Sequence, residues 1–458
     1  MTLWTSDDAA AATGGRATRS FAASGISIDT RSIAPGDLFV ALKAARDGHD
    51  FVAAALAAGA RAALVSRVPE GVPDDAPLLI VDDVFKALEA LGRAGRARTS
   101  ARVLAITGSV GKTSTKDMAV AALAGQGRTH AAEASLNNHW GVPLTLARMP
   151  AGTDYAVLEI GMNHPGEIEP LARMARPHVA MITTVAAVHL EAFENVAGIA
   201  REKAAIFAGL EPAGVAIIPE DLEVSDVLRE GADAAGAIIA GFGKTGMARP
   251  LKIAAHEGKT TLDARIFGQD VRAVLASAGT HFAMNAVGVL AAIARLGADL
   301  PRAAEALSDW RPYAGRGGVE RVGQITLIDD SYNANPTSLR AGLTTLAGMD
   351  GRRVAILGDM LELGPDEAQL HRDIAAYPQL EGVAKVHTAG PLMRHLHDAL
   401  PEAQRGIWAN SADELSARLS ELASPGDIVF VKGSKSSRVA GIVEAFRQAA
   451  RAQEQQGS

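Results

Sequence analysis

Apolar residues recur along this chain in short blocks, separated by longer stretches with helical spacing. In the first hundred residues, the blocks at 27–29, 38–42, 62–66 and 79–81 predict strands, and 51–58 and 85–97 predict helices. The segment 92–101, GRAGRARTSA, is basic, rich in small residues and without bulky apolar anchors, so it predicts a domain boundary. A buried-type strand follows at 103–106, with further strands at 155–160, 179–185 and 215–218 and helices between them. That alternation predicts an open, mostly parallel α/β sheet. Residues 251–275 alternate polar and apolar more regularly and predict a small antiparallel excursion before a helix over 281–296. Beyond a flexible glycine-rich joint at 313–318, strands at 325–330, 354–357, 385–388 and 428–431 alternate with helices. One of these helices spans 336–346, with Asn335 as N-cap and Pro336 at its first position. The fold class is therefore α/β in three domains. A small α/β domain covers 1–98, a mostly parallel P-loop-type domain 99–313, and a Rossmann-like domain 314–458, with a polar tail at 451–458 expected to fray.

Composition changes this picture only by exclusion. The net charge of −7 over 458 residues argues against a protein that coats nucleic acid. The absence of cysteine removes disulfides, thiolate metal sites and a cysteine nucleophile. The N-terminus lacks the basic region and apolar core of a signal peptide, and no apolar run is long enough to span a bilayer. A soluble, cytoplasmic, monomeric chain with no membrane insertion is expected.

The strand at 103–106 runs into Thr107-Gly108-Ser109-Val110-Gly111-Lys112-Thr113-Ser114 and then a helix. Glycines there let backbone N–H groups turn toward phosphate oxygens, and the helix N-terminus favours negative charge. In this reading Lys112 reaches the β- and γ-phosphates and the Thr113 hydroxyl sits on Mg²⁺. The loop departs from the usual P-loop spacing, because Ile106 stands where the first glycine belongs. Glu159 closes the apolar strand at 155–160, at the sheet edge where ligands bind, and suits a hard cation; capping a neighbouring helix is the alternative. His189 also follows a strand end and reads as a hydrogen-bonded structural histidine or a ligand. Lys203 lies on a helix, and its pattern alone reads as solvent-exposed. His281 and Asn285 share a helix face and either meet an adenine or ribose or pack. Asn137-Asn138 reads as a turn.

Taken in order, these segments resemble the Mur ligases of peptidoglycan precursor synthesis over nearly the whole chain. The resemblance rests on the phosphate loop, Leu158-Glu159-Ile160-Gly161, and the His189 and Lys203 segments. It also rests on Asp29-Thr30-Arg31, Asn137-Asn138, Asp329-Asp330-Ser331-Tyr332-Asn333-Ala334-Asn335-Pro336, Leu357-Gly358-Asp359-Met360 and Val431-Lys432-Gly433-Ser434. Within the family it is strongest to the members that add D-alanyl-D-alanine to UDP-N-acetylmuramoyl-tripeptide. It implies an ATP-dependent ligase working through an acyl phosphate, with an N-terminal domain for the UDP-sugar, a central ATPase and a C-terminal domain for the dipeptide. Gly108 to Ser114, His281, Asn285, Arg316 and Asp330 would then meet ATP. Thr30, Arg31, Lys43 and His49, with Asn137 and Asn138, would meet the UDP-substrate. Asn333 and Asn335 would meet the dipeptide. Thr113, Glu159, His189 and Lys203 would hold Mg²⁺, with Lys203 carbamylated by CO₂, and Lys112, Lys203 and His189 would form the catalytic centre. Closure of the C-terminal domain would turn on 314–318. Arg316 as a solvated joint residue and Asn335 as only an N-cap remain alternatives. So do the ligase of the preceding step, a folylpolyglutamate synthase and a non-catalytic P-loop switch.

Overall fold

The computed structural model describes residues 2–188, 191–256 and 258–456, and these form four sheets. The N-terminal five-stranded sheet runs in the order Arg16–Ala17, Leu78–Ile80, Ala62–Val65, Asp37–Val40, Gly25–Ser27, with a two-stranded ribbon, Trp4–Thr5 on Ala22–Ala23, beside it. All its pairs are parallel except Arg16–Ala17 with Leu78–Ile80. Helix Val84–Ala97 starts at Asp83, whose side chain accepts from the Lys86 amide.

The predicted boundary segment 92–101 is helical over its first half. The helix runs through it to Ala97 and docks on helix Gly141–Arg148. A Cβ at Gly95 would lie 2.2 Å from the Leu146 carbonyl oxygen, so the small residues exist for backbone approach. Arg96 is buried, and its guanidinium donates to the carbonyls of Ala175 and Arg176 at 2.8 and 2.9 Å. The Trp4 indole donates to the Ala147 carbonyl at 2.8 Å, and Arg148 donates to the Ile26 carbonyl at 2.7 Å. The first and second sheets are thereby bolted together.

The nine-stranded central sheet is parallel through Thr129–Ala131, Tyr155–Glu159, Arg102–Thr107, Val179–Ile182, Val215–Pro219, Ile238–Phe242 and the start of Ala248–His256. It then continues antiparallel through Lys259–Ile266 and Gln269–Leu275. The predicted antiparallel excursion is thus the edge of the same sheet. Leu104 and Ile106 face helices Lys112–Leu123 and Thr280–Arg295, while Val103 and Ala105 face the opposite core. Strand alternation therefore buries both faces. Arg102–Thr107 lies between strands reached by crossovers on either side, and its carboxyl end is the switch point of the sheet.

The C-terminal sheet has the order Gly318–Val322, Ile325–Asp330, Ile428–Lys432, Arg353–Gly358, Val383–Ala389, Arg405–Ala409. Only its first pair is antiparallel among the described residues. Asn335 caps helix Pro336–Ala347, accepting from the Ser338 amide in a reciprocal capping box. The glycine-rich joint is tighter than expected. The Gly317 amide donates to the Asp329 carbonyl at 2.7 Å and Gly315 to the Asp329 carboxylate at 3.1 Å, so 315–318 belongs to the C-terminal sheet. Of the tail expected to fray, residues 451–456 belong to helix Ala440–Gln456, and 457–458 lie outside the described residues.

His387 is buried in this domain, and its Nδ1 accepts from the Ile407 amide at 3.0 Å. Burial holds its imidazole down to about 4, whereas an unfolded histidine titrates near 6.5. As pH falls the unfolded chain takes up this proton first, so the contribution is present above about 6.5 and lost toward pH 4. Between pH 7 and 5 this group alone should remove roughly 1–2 kcal/mol of stability. Urea titrations should show a smaller difference between those pH values for His387→Gln. An unchanged difference would show that other groups carry it.

Candidate active site

The carboxyl ends of the central and C-terminal sheets face one cleft, with a cavity of about 620 Å³. The phosphate loop forms its floor. Helix Lys112–Leu123 starts at Gly111, whose φ of +83° only glycine adopts easily, and the Asn285 amide lies 3.0 Å from where a Cβ would be. Gly108 has φ +151°, and a Cβ there would strike the Thr183 hydroxyl at 1.9 Å. The loop is held from the neighbouring strand end. Thr183 donates to the Val110 carbonyl at 2.6 Å, and Ser109 donates to the Ala186 carbonyl at 3.1 Å.

Lys112 Nζ donates to the Gly108 carbonyl at 2.7 Å. Burial lowers its pKa, Glu159 opposes that shift, and Arg316 adds to it. Lys203 is also buried rather than solvent-exposed as its pattern alone reads, at 2% exposure. Burial and the Lys112 charge push its ammonium well below the ordinary lysine range. Lys112, with Arg316 beside it, is a buried cation that the folded chain does not fully compensate, which is the electrostatic signature of an anion site.

Glu159 is 1% exposed. Its Oε1 accepts from Asn137 Nδ2 at 2.6 Å, and its Oε2 is buried with no partner. A buried carboxyl oxygen left without a partner is costly, and a cation would satisfy it. The Thr113 hydroxyl is buried at the first turn of the loop helix. Two oxygen donors from the protein suit Mg²⁺, which completes its shell with phosphate oxygens and water. Among the described residues no cluster of three acidic or histidine side chains forms a closed metal cage. His189 lies outside the described residues.

His281, Asn285, Arg316, Asp330, Asn333 and Asn335 all line the same cavity. Burial holds the His281 imidazole down to about 4, with the Lys432 charge adding, so it is neutral at pH 7. Asp330 and Lys432 are register partners on adjacent strands and pair at 2.6 Å. Burial raises the Asp330 carboxyl, and Lys432 opposes the shift. Lys432 was legible as a strand-end residue after Val429-Phe430-Val431, by the signal that marks Glu159, but its motif was read only for likeness. Thr183 carries the same signal after Met181-Ile182.

Of the expected UDP-substrate contacts, Asn137 and Asn138 line this cleft, whereas Thr30, Arg31, Lys43 and His49 do not. Asp29-Thr30-Arg31 and Lys43 follow the adjacent parallel strands Gly25–Ser27 and Asp37–Val40 of the N-terminal sheet. Arg31 is exposed, and its guanidinium lies against Asp29, which holds that carboxyl down at about 2. His49 is a correction. It is buried, with Nδ1 on Asp47 at 2.6 Å and Nε2 accepting from the Ser66 amide at 2.9 Å. Both ring nitrogens are used within the protein, so His49 shapes the loop and has none left for a nucleotide. Asn138 also acts locally, accepting from the Trp140 and Gly141 amides to start helix Gly141–Arg148. Asn137 and Asn138 line the central cleft, with Asn137 donating to Glu159.

Comparison with known proteins places this geometry. The family models of the Mur ligase middle domain, the Mur ligase glutamate ligase domain and the Mur ligase catalytic domain match residues 106–293, 316–435 and 22–96. The UDP-N-acetylmuramoyl-tripeptide–D-alanyl-D-alanine ligase of Rickettsia prowazekii is 31% identical, over 97% of this chain and 100% of its own. The chain belongs to the Mur ligase family. Among solved structures, this Mur ligase is similar to MurF from Acinetobacter baumannii, with a TM-score of 0.86 at 29% identity, covering 97% of this chain and 99% of the other. MurF ligase from Thermotoga maritima in complex with ADP aligns with a TM-score of 0.79 at 25% identity, over 94% and 98% of the two chains. Among the described residues no helix of the Mur ligase is long and apolar enough to cross a membrane.

Proposed function

We propose that this Mur ligase joins UDP-N-acetylmuramoyl-tripeptide to D-alanyl-D-alanine at the expense of ATP. The observation that carries the reading is the single cleft in which the phosphate loop and Glu159 face Asp330, Asn333 and Lys432 of the C-terminal sheet. Near-full-length likeness to enzymes named for this reaction favours it over the preceding ligase step and over a nucleotide switch.

A carboxylate is a poor acylating group, so its oxygen first takes the γ-phosphoryl group of ATP, releasing ADP. The dipeptide amine then attacks the acyl phosphate, and inorganic phosphate leaves as the amide forms. Lys112 and the loop amides hold the phosphate chain where charge builds. Thr113 and Glu159 would hold Mg²⁺, which would supply charge neutralisation there. Asn285 packs on the loop, and His281, neutral, presents an uncharged ring to the nucleotide. Arg316 and Asp330 approach ATP from the C-terminal side, with Asn333 and Asn335 toward the dipeptide. Apposition of the two sheets excludes water that would hydrolyse the acyl phosphate. Thr30, Arg31 and Lys43 form the edge that takes the uridine nucleotide, in a first domain over 1–98. The central and C-terminal domains cover 99–313 and 314–458. A carbamate on Lys203 would turn its buried amine into an anionic metal ligand, and His189 would join it at a second Mg²⁺. The enzyme works in the cytoplasm as a monomer.

Phosphate release from ATP, with UDP-tripeptide, dipeptide and Mg²⁺ omitted in turn, tests the reading. Release should need all three and yield a UDP-pentapeptide. Release with a UDP-dipeptide and a free diamino acid would overturn it.

A further inference from the structure

The mechanism above leaves Tyr332 unused, although its hydroxyl crosses the cleft. Tyr332 follows the last strand residue Asp330 of the C-terminal sheet, and its Oη lies 2.8 Å from the Ser135 Oγ of the central domain. Both ends of this bond are firmly held. Lys116, from the helix of the phosphate loop, donates to the carbonyls of Ala132 and Ala134 at 2.8 and 2.9 Å. The Ser135 carbonyl accepts from the Asn137 amide at 2.9 Å, and Asn137 donates to Glu159 at 2.6 Å. Ser135 therefore sits on a platform built from the nucleotide site itself. On the other side, the Tyr332 amide donates to the Gly315 carbonyl at 2.9 Å, and the Arg316 guanidinium stacks on the Tyr332 ring with its carbon 4.0 Å from the centroid. Gly315 allows this approach, with φ +77° and only 3.1 Å between a Cβ there and Tyr332.

We propose that Tyr332 is a positioning residue that couples seating of the C-terminal domain to assembly of the phosphate site. Its hydroxyl registers the domain on the Ser135 platform, and its ring then places Arg316 over the cleft. If the C-terminal domain swings away, the hydroxyl loses Ser135 and Arg316 leaves with the ring. Phosphoryl transfer is thereby tied to the closed state, in which the incoming amine is present, and idle hydrolysis of the acyl phosphate is suppressed. The inference rests on the ligase reading above.

The test is a double-mutant cycle on Tyr332→Phe and Ser135→Ala, with Ser135→Thr as the conservative variant. Loss of one hydrogen bond should lower kcat by about 3–10-fold in each single variant. The KM for the UDP-substrate should hold, the double variant should be no slower than the singles, and Ser135→Thr should retain most activity. Multiplied effects in the double variant, or full kcat in Tyr332→Phe, would overturn the proposal. Small-angle scattering provides an arm that does not depend on turnover. Wild type should become more compact with a non-hydrolysable ATP analogue and Tyr332→Phe less so; equal compaction would overturn the coupling. A wild type that turns over ATP without needing the dipeptide would sink the ligase reading, while the scattering arm would still decide the coupling.

Discussion

Lys112→Ala should lower kcat/KM by about 10³-fold or more, because one buried cation facing a developing phosphoryl charge is worth that much. Affinity for the UDP-substrate should stay within about twofold, since the cost of losing a phosphate contact is not felt at a site that never touches it. The edge proposed above for the uridine nucleotide, near Thr30 and Lys43, follows strands of the N-terminal sheet, whereas the loop helix belongs to the central domain. The N-terminal sheet is anchored to the central one through Gly95, Arg96 and Trp4, so the substitution leaves its position intact. Isothermal titration with the UDP-tripeptide, alongside steady-state kinetics, checks both halves. Loss of UDP-substrate binding in a folded Lys112→Ala protein would contradict the division of labour between the sheets.

Lys203→Ala should lower kcat by about 10²-fold or more, the usual scale for a lost ligand or supporting group at a metal. The side chain is 2% exposed, and burial with the Lys112 charge favours its neutral amine. A neutral amine adds CO₂, forming an N–C bond and losing one proton, and the product is a carbamate anion. Wild type should accordingly lose activity in CO₂-depleted buffer and regain it with bicarbonate, and a small carboxylate should partly rescue Lys203→Ala. The decisive comparison is Lys203→Arg, which keeps a cation but forms no such carbamate. Full activity in Lys203→Arg together with indifference to bicarbonate would remove the carbamate from the mechanism.

Local chemistry explains why so much of the site was legible. The turn of the phosphate loop needs glycine at Gly108 and Gly111 whatever surrounds it, because backbone conformation demands it. Glu159 announces itself by standing at the end of an apolar strand, where the chain leaves a parallel sheet. Asn335 is an N-cap by the residue types of one turn, and the fold keeps it so. Residues whose role depends on a distant partner are not legible in this way. His49 looks like a free polar residue until Ser66 and Asp47 occupy both nitrogens. The glycines of segment 92–101 have no evident purpose in the sequence until Pro143 and Leu146 show that they make room for a helix.

By itself the sequence determined the α/β alternation, the phosphate loop, the strand-end carboxylate and the family likeness, all of which are written in consecutive residues. Tertiary structure alone decided that Lys203 is buried, that Glu159 keeps one oxygen unpaired beside Asn137, and that Asp330 and Lys432 pair across 102 residues. It also decided that Tyr332 reaches Ser135, 197 residues away. Burial and neighbouring charge shift Lys112, His281 and Asp330, and both depend on which segments the fold brings together.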